Sequence, residues 1–198
     1  MAVICQFARA QLSPTEMIRS RFHRTLIPGV LALAWVAGCS PSSPTHHTPD
    51  SLVKLKSETA KPVPSVAFTD ASGRVHSLTE FHGRYVLLNL WATWCAPCVR
   101  ELPALSRLQA AVGVRTLEVV AVNVGRGTAP ETAAFLKSNK ANLPVYLDTK
   151  NAFLHAFGAF GLPLTVLIDP QGRETARASG AVRWDARDAV SYFKALKK

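Results

Sequence analysis

Cysteine is scarce in this 198-residue chain, which holds only Cys5, Cys39, Cys95 and Cys98. A fold stapled by several disulfides is therefore excluded, and the domain must hold together through its own hydrophobic core. A structural zinc site needs four Cys or His ligands, and the close pair Cys95 and Cys98 has no second pair to complete it. No histidine follows Cys98, which excludes covalent c-type haem attachment. Long apolar runs are missing too: the stretch from Leu26 to Ala37 is broken by Pro28 and Gly29 and is short for a bilayer span. Acidic residues number 13 against 23 Lys and Arg, a net charge of +10, yet like charges never cluster into a block. Such scatter describes a solvated surface with some affinity for anionic head groups, and not a nucleic-acid footprint. Gly125-Arg126-Gly127 lacks the third glycine of a dinucleotide fingerprint and reads as a loop.

What is present divides the chain into three parts. From Met17 the sequence has a basic start (Arg19, Arg21, Arg24), the interrupted apolar stretch, and then Val36-Ala37-Gly38-Cys39. This resembles a bacterial lipoprotein signal peptide, with Met1 or Met17 as its start, and implies that residues 1–39 are a leader ending at a lipidated Cys39. A plain secretory signal or an uncleaved anchor helix are the alternatives. Arg9, Arg19, Arg21 and Arg24 precede Cys39 against Glu16 alone, which leaves +7 for the remainder. Residues 40–62 are rich in Pro, Ser, Thr and Lys, with Leu52, Val53 and Leu55 as their few large apolar side chains. That composition buries too little surface to offset chain entropy, and predicts a flexible tether. Residues 63–198 then form one α/β domain.

Within that domain the pattern predicts a hairpin from Val66–Thr69 and Val75–Leu78, and buried strands at Tyr85–Trp91 and Leu117–Val124. Helices are expected after Cys95 as far as Gly113, and over Ala129–Lys140 behind the capping-box spacing of Thr128 and Glu131. Val145–Leu147 reads as a short strand and Ala152–Phe157 as a short helix. A second hairpin joins Leu164–Asp169 to Glu174–Ala178 through Pro170-Gln171-Gly172, and Asp185 with Asp188 opens the last helix.

Cys95-Ala96-Pro97-Cys98 lies where the strand Tyr85–Trp91 feeds a helix. A cysteine at a helix N-terminus meets unpaired backbone N–H groups and the positive end of the helix dipole, which stabilise its thiolate and make a nucleophile near neutral pH. Cys98 falls on the same helical face within bridging distance, and Pro97 is tolerated because the first turn has no partner for its missing N–H. A dithiol/disulfide redox centre is the reading these residues favour.

With the motif and the element order in hand, the domain resembles the thioredoxin fold of the TlpA/ResA-like, membrane-anchored thiol-disulfide oxidoreductases. The resemblance rests on Asn89-Leu90-Trp91-Ala92-Thr93-Trp94-Cys95-Ala96-Pro97-Cys98, on Glu101 and Pro103, and on FGAFGLPLTVLIDPQG from Phe157 to Gly172. It implies a central mixed sheet flanked by helices, with the first hairpin as an N-terminal extension. It also implies roles: Cys95 as an exposed nucleophile, Cys98 as the resolving thiol, and Pro163 as a cis-proline that leaves the Leu162 backbone free to pair with substrate. Glu101 is the candidate for proton traffic, since Asn89 stands where classical thioredoxin has a buried Asp and an amide cannot act as that base. Glu101 as a simple helix-dipole or surface carboxylate is the alternative. Trp94, Ala96 and Pro97 complete the expected docking surface, and Trp91 reads as core. No cofactor is implied. The implied activity is reduction of protein disulfides in the cell envelope by a lipid-anchored protein, fed by a membrane dithiol donor. Clients would be apocytochrome c haem-binding cysteines or the copper-site cysteines of respiratory oxidases. A disulfide oxidase or isomerase, a thiol peroxidase and a non-catalytic copper-binding module stand as alternatives.

Overall fold

Two apolar runs, Tyr85–Trp91 and Leu117–Asn123, are buried along almost their whole length, as strands covered on both faces must be. They form the centre of an eight-stranded mixed sheet among the described residues, which in this computed structural model are 48–196. In chain order the elements are β1 (Lys56–Pro62), β2 (Ala67–Asp70), β3 (Val75–Ser77), β4 (Tyr85–Trp91), α1 (Ala96–Val112), β5 (Leu117–Asn123), α2 (Ala129–Ser138), β6 (Tyr146–Leu147), α3 (Ala152–Ala156), β7 (Leu164–Ile168), β8 (Arg173–Ser179) and α4 (Arg187–Lys194). Short 3-10 turns lie at Asp50–Leu52 and Leu78–Phe81. The strand order is β1-β8-β7-β4-β5-β6-β2-β3, with β4 parallel to β5 and antiparallel to β7. This is a thioredoxin-like α/β architecture, and the β2–β3 hairpin joins its sheet through β6.

Alternation along β4 decides what each face buries. Leu87, Asn89 and Trp91 point one way and Val86, Leu88 and Leu90 the other. On the first face Leu102, Leu105 and Leu108 of α1 pack with Ala189 and Phe193 of α4. The second face is covered by Phe68, Phe81, Phe153 and Phe157. Each fully buried leucine of the first cluster stabilises the fold by about 1.5–3 kcal/mol, so the helix that starts at the cysteine pair is anchored along its length. Ser77 with Glu80 and Thr128 with Glu131 form reciprocal capping boxes that fix the starts of the second 3-10 turn and of α2. The β7–β8 turn needs Gly172, whose φ of +77° favours glycine and where a Cβ would collide with the His82 ring.

The N-terminal boundary differs from the compositional expectation of a tether over residues 40–62. The described residues all belong to one compact unit, and Leu52 and Leu55 are buried in the main core at 0% and 4% exposure. β1 adds to the sheet edge as an antiparallel partner of β8. Its sequence, KSETAKP, is exposed at every position, because backbone pairing holds an edge strand that has no apolar face to bury. Composition therefore gives no sign of it. Residues 1–39, with the expected lipidation at Cys39, lie outside the described residues, as do residues 40–47. Elsewhere the boundaries move slightly: α2 ends at Ser138, and α4 starts at Arg187 behind Ala186. Asp188 lies in its first turn, where Oδ1 accepts from the Ala189 N–H at 3.0 Å, while Asp185 precedes it without a capping hydrogen bond. Asp185 pairs with Arg107 of α1 at 2.8 Å, and Asp188 accepts from the backbone N–H of Ser51 at 3.1 Å.

Candidate active site

The cysteine pair sits where β4 hands over to α1. Trp91 closes the strand, the Cys95 N–H bonds back to the Ala92 carbonyl at 3.0 Å, and Cys95 becomes the N-cap of the helix. Its sulfur accepts from the Cys98 N–H at 3.3 Å, one of the free N–H groups of the first turn. No acidic side chain lies in that turn to oppose a thiolate. Cys95 and Cys98 are joined as a disulfide, with Cα atoms 5.3 Å apart. Cys95 is less exposed than the resemblance implies, at 5% against 0% for Cys98. The tight turn faces its side chain into the core cluster and sends Trp94 outward at 72% exposure. Ala96 is exposed and Pro97 half-buried beside it. Trp94 neighbours Gly125, where a Cβ would crowd Asn123 Oδ1 at 3.0 Å and the Ala92 methyl at 3.1 Å while meeting the indole nitrogen at an ordinary 3.5 Å.

Glu101, three residues beyond Cys98, shares its helical face and is 3% exposed. It is no surface carboxylate. Asn89 Nδ2 donates to Oε1 at 2.8 Å, while the Val182 N–H and Trp184 Nε1–H donate to Oε2 at 3.1 and 3.2 Å. Asn89 also donates to Thr165 Oγ1 at 2.9 Å, because the two residues stand opposite each other in the β4–β7 pair. Burial pushes the Glu101 carboxyl up to about 7, against the opposing pull of these three N–H donors and of the Lys54 ammonium. Lys54 is held there by donating to the Ala181 carbonyl at 3.0 Å, so the segment before β1 contributes charge to the site. A buried carboxyl titrating near neutrality, on the helix that carries a dithiol pair, can take up and return protons during thiol chemistry.

The third part of the site is the loop before β7. The Leu162–Pro163 bond is cis, and the Pro163 carbonyl accepts from the Gly180 N–H at 2.8 Å. Leu162 is half-buried against the cluster that contains both cysteines. Phe160, in the same loop, is fully exposed. When reduced, Cys95 and Cys98 could offer two sulfur ligands; among the described residues no group of three or more His, Cys, Asp or Glu is arranged to hold a metal ion. Among the same residues no helix is long and apolar enough to cross a membrane.

The AhpC/TSA family matches residues 59–174, which include the cysteine pair, Glu101 and Pro163. Thiol-disulfide oxidoreductase ResA of Geobacillus thermodenitrificans is 36% identical over 134 residues, 68% of this chain and 75% of the relative. The chain belongs to the ResA-like thiol-disulfide oxidoreductases of the AhpC/TSA family. ResA of Bacillus subtilis is 35% identical over 119 residues, 60% of this chain and 66% of that one. Among solved structures, a protein described as a thiol:disulfide interchange protein DsbE from Chlorobium tepidum is similar with a TM-score of 0.59 and 26% identity, over 70% of this chain and 99% of its own.

In this ResA-like chain the residues singled out from sequence fall into two groups. Cys95, Cys98, Ala96, Pro97 and Glu101 all lie at the start of α1, and Leu162 packs onto the cluster that holds the two cysteines. Thr165, Val182 and Trp184 hold Glu101 or its partner Asn89 and carry no motif that would single them out. The one legible sign was Thr165, a polar residue within the otherwise apolar run LTVLI. Gly125, read only as loop, packs closely against Asn123 and Ala92 beside Trp94.

Proposed function

We propose that this thiol-disulfide oxidoreductase works as a reductant of protein disulfides in the cell envelope, held to a membrane by a lipid on Cys39. The observation that carries the reading is the Cys95–Cys98 pair at the start of α1, with the buried Glu101 carboxyl on the helical face of Cys98 and pushed up by burial. In the reduced enzyme the Cys95 thiolate attacks one sulfur of a substrate disulfide, forming a mixed disulfide and releasing the other sulfur as a thiolate. Cys98 then gives its proton to Glu101 and attacks the Cys95 sulfur. The second substrate thiol leaves, and the Cys95–Cys98 bond forms. Two electrons have passed to the substrate, and a membrane dithiol donor returns two to the enzyme. Trp94, Ala96, Pro97 and the Leu162 backbone beside Pro163 receive the substrate chain. Suitable clients are the haem-binding cysteines of apocytochrome c or the copper-site cysteines of a respiratory oxidase.

The test is a Cys98→Ala variant, in the reduced state, mixed with a disulfide-bonded client peptide. A stable mixed disulfide on Cys95, with full peptide reduction by the parent, supports the reading. Oxidation of the dithiol peptide by the parent at equal ratio points to an oxidase. Consumption of peroxide points to a peroxidase, and copper binding lost with Cys98, without reductase activity, to a metal-delivery module.

A further inference from the structure

Asn89 is completely buried, and its two ends are treated unequally. Nδ2 donates to Glu101 Oε1 and to Thr165 Oγ1, whereas Oδ1 meets no donor among the described residues. A buried carbonyl oxygen without a partner is costly and uncommon. The reason lies across the contact: an ionised carboxylate only accepts, so Glu101 draws the NH2 end toward itself and turns the oxygen away. Oε2 of Glu101 is already taken by a backbone N–H and by the indole N–H of Trp184, a ring buried in the core. A proton arriving at the carboxyl therefore settles on Oε1. There it faces Nδ2, an amide nitrogen with no acceptor capacity.

Half a turn of the amide about its Cβ–Cγ bond removes the conflict. Oδ1 then accepts the new Oε1–H of Glu101 and also the Thr165 hydroxyl, which can donate as readily as accept. We propose that the Asn89 amide turns over each time Glu101 gains or loses its proton, making Asn89 and Thr165 a positioning pair that keeps the carboxyl hydrogen-bonded in both states. The inference rests on the reading of Glu101 as the proton carrier of thiol-disulfide exchange. Each orientation leaves one end of the amide unpaired, the oxygen when Glu101 is ionised and the two N–H groups of Nδ2 when it is protonated. Neither orientation is locked, which suits a group that must be charged and neutral in turn. Asparagine is the residue type that can offer a donor or an acceptor from the same position; an aspartate there would add a second buried carboxyl beside the first.

The experiment is NMR on the full-length chain with the disulfide closed, labelled with 15N and 13C. Two signals are followed through a pH titration: the Glu101 carboxyl carbon, and the NOE between the Asn89 Nδ2 protons and the Thr165 methyl. The NOE is expected above the Glu101 midpoint and lost below it, at the same midpoint as the carboxyl carbon. A Glu101→Gln variant presents an NH2 in place of the acidic proton, so its NOE is expected to be absent at every pH. An NOE that persists unchanged through the Glu101 titration, or that survives in Glu101→Gln, overturns the inference. A carboxyl carbon that does not titrate near neutrality overturns the proton-carrier reading instead, and the Glu101→Gln comparison still decides whether Asn89 turns.

Discussion

The indole Nε1–H of Trp184, in the loop before α4, donates to Oε2 of Glu101 in the second turn of α1 at 3.2 Å. It ties the segment before the C-terminal helix to α1, at the carboxyl nearest the cysteine pair in sequence. Because an N–H donor favours the ionised form, its loss must raise the Glu101 midpoint further. A hydrogen bond to a charged group is worth about 1.5–3 kcal/mol, so Trp184→Phe is expected to lift the midpoint by roughly one to two pH units. A 13C titration of the carboxyl carbon checks it, and a midpoint unchanged or lowered contradicts it.

Glu101 also makes stability depend on pH. Its folded value, about 7, lies above the ordinary 4.5, so the folded state holds a proton that the unfolded chain has released between those two values. The stabilisation is complete below 4.5 and is lost as pH rises through about 7. Relative to Glu101→Gln, the parent is expected to lose on the order of 3 kcal/mol of unfolding free energy across that window. Urea unfolding of both oxidised proteins at either end of the window measures the difference.

Residues before β1 belong to the folded unit. Leu52 is completely buried in the main core, on an element that composition alone assigns to a tether. Leu52→Ala is expected to destabilise the domain by about 2–5 kcal/mol, the usual range for deleting a buried leucine side chain. Val53→Ala, at 59% exposure one position later, should change little. Denaturant midpoints for the two variants decide the point; equal, small effects would return the segment to the status of a spacer.

The β2–β3 hairpin carries its own titrating group. His76 bonds Asp70 at 2.9 Å through Nε2 and Glu80 at 3.0 Å through Nδ1, and the Asp70 hydrogen bond foremost raises its pKa above the ordinary 6.5. The protonated ring therefore stabilises the hairpin fully below 6.5, and that contribution fades as pH rises through the raised value. Asp70→Asn should return the His76 midpoint toward 6.5, read from the ring C–H resonances. An unmoved midpoint would remove Asp70 as the cause.

Much of this site could be read from one-dimensional pattern, and the unread part has a physical reason. Period-two alternation already puts Asn89 on the face of Leu87 and Trp91, and helical spacing puts Glu101 with Cys98 and Leu105 on the face that packs there. The Asn89–Glu101 contact follows from those two periodicities. The partnership of Asn89 with Thr165 depends on the register between β4 and β7, which no local pattern encodes. Trp184 and the Val182 N–H reach Glu101 from an irregular loop, through tertiary packing alone. β1 was illegible for the opposite reason: an edge strand held by backbone bonds asks almost nothing of its side chains.

The central claim is that the Cys95–Cys98 couple gives electrons to protein disulfides. The direct measurement is its reduction potential in the full-length chain, by equilibration with thiol buffers and readout of Trp94 fluorescence. The scale runs from about −120 mV for strong oxidants to about −270 mV for thioredoxin-like reductants. The account predicts a value near the reducing end, and a value near the oxidising end would contradict it and make disulfide formation or isomerisation the function.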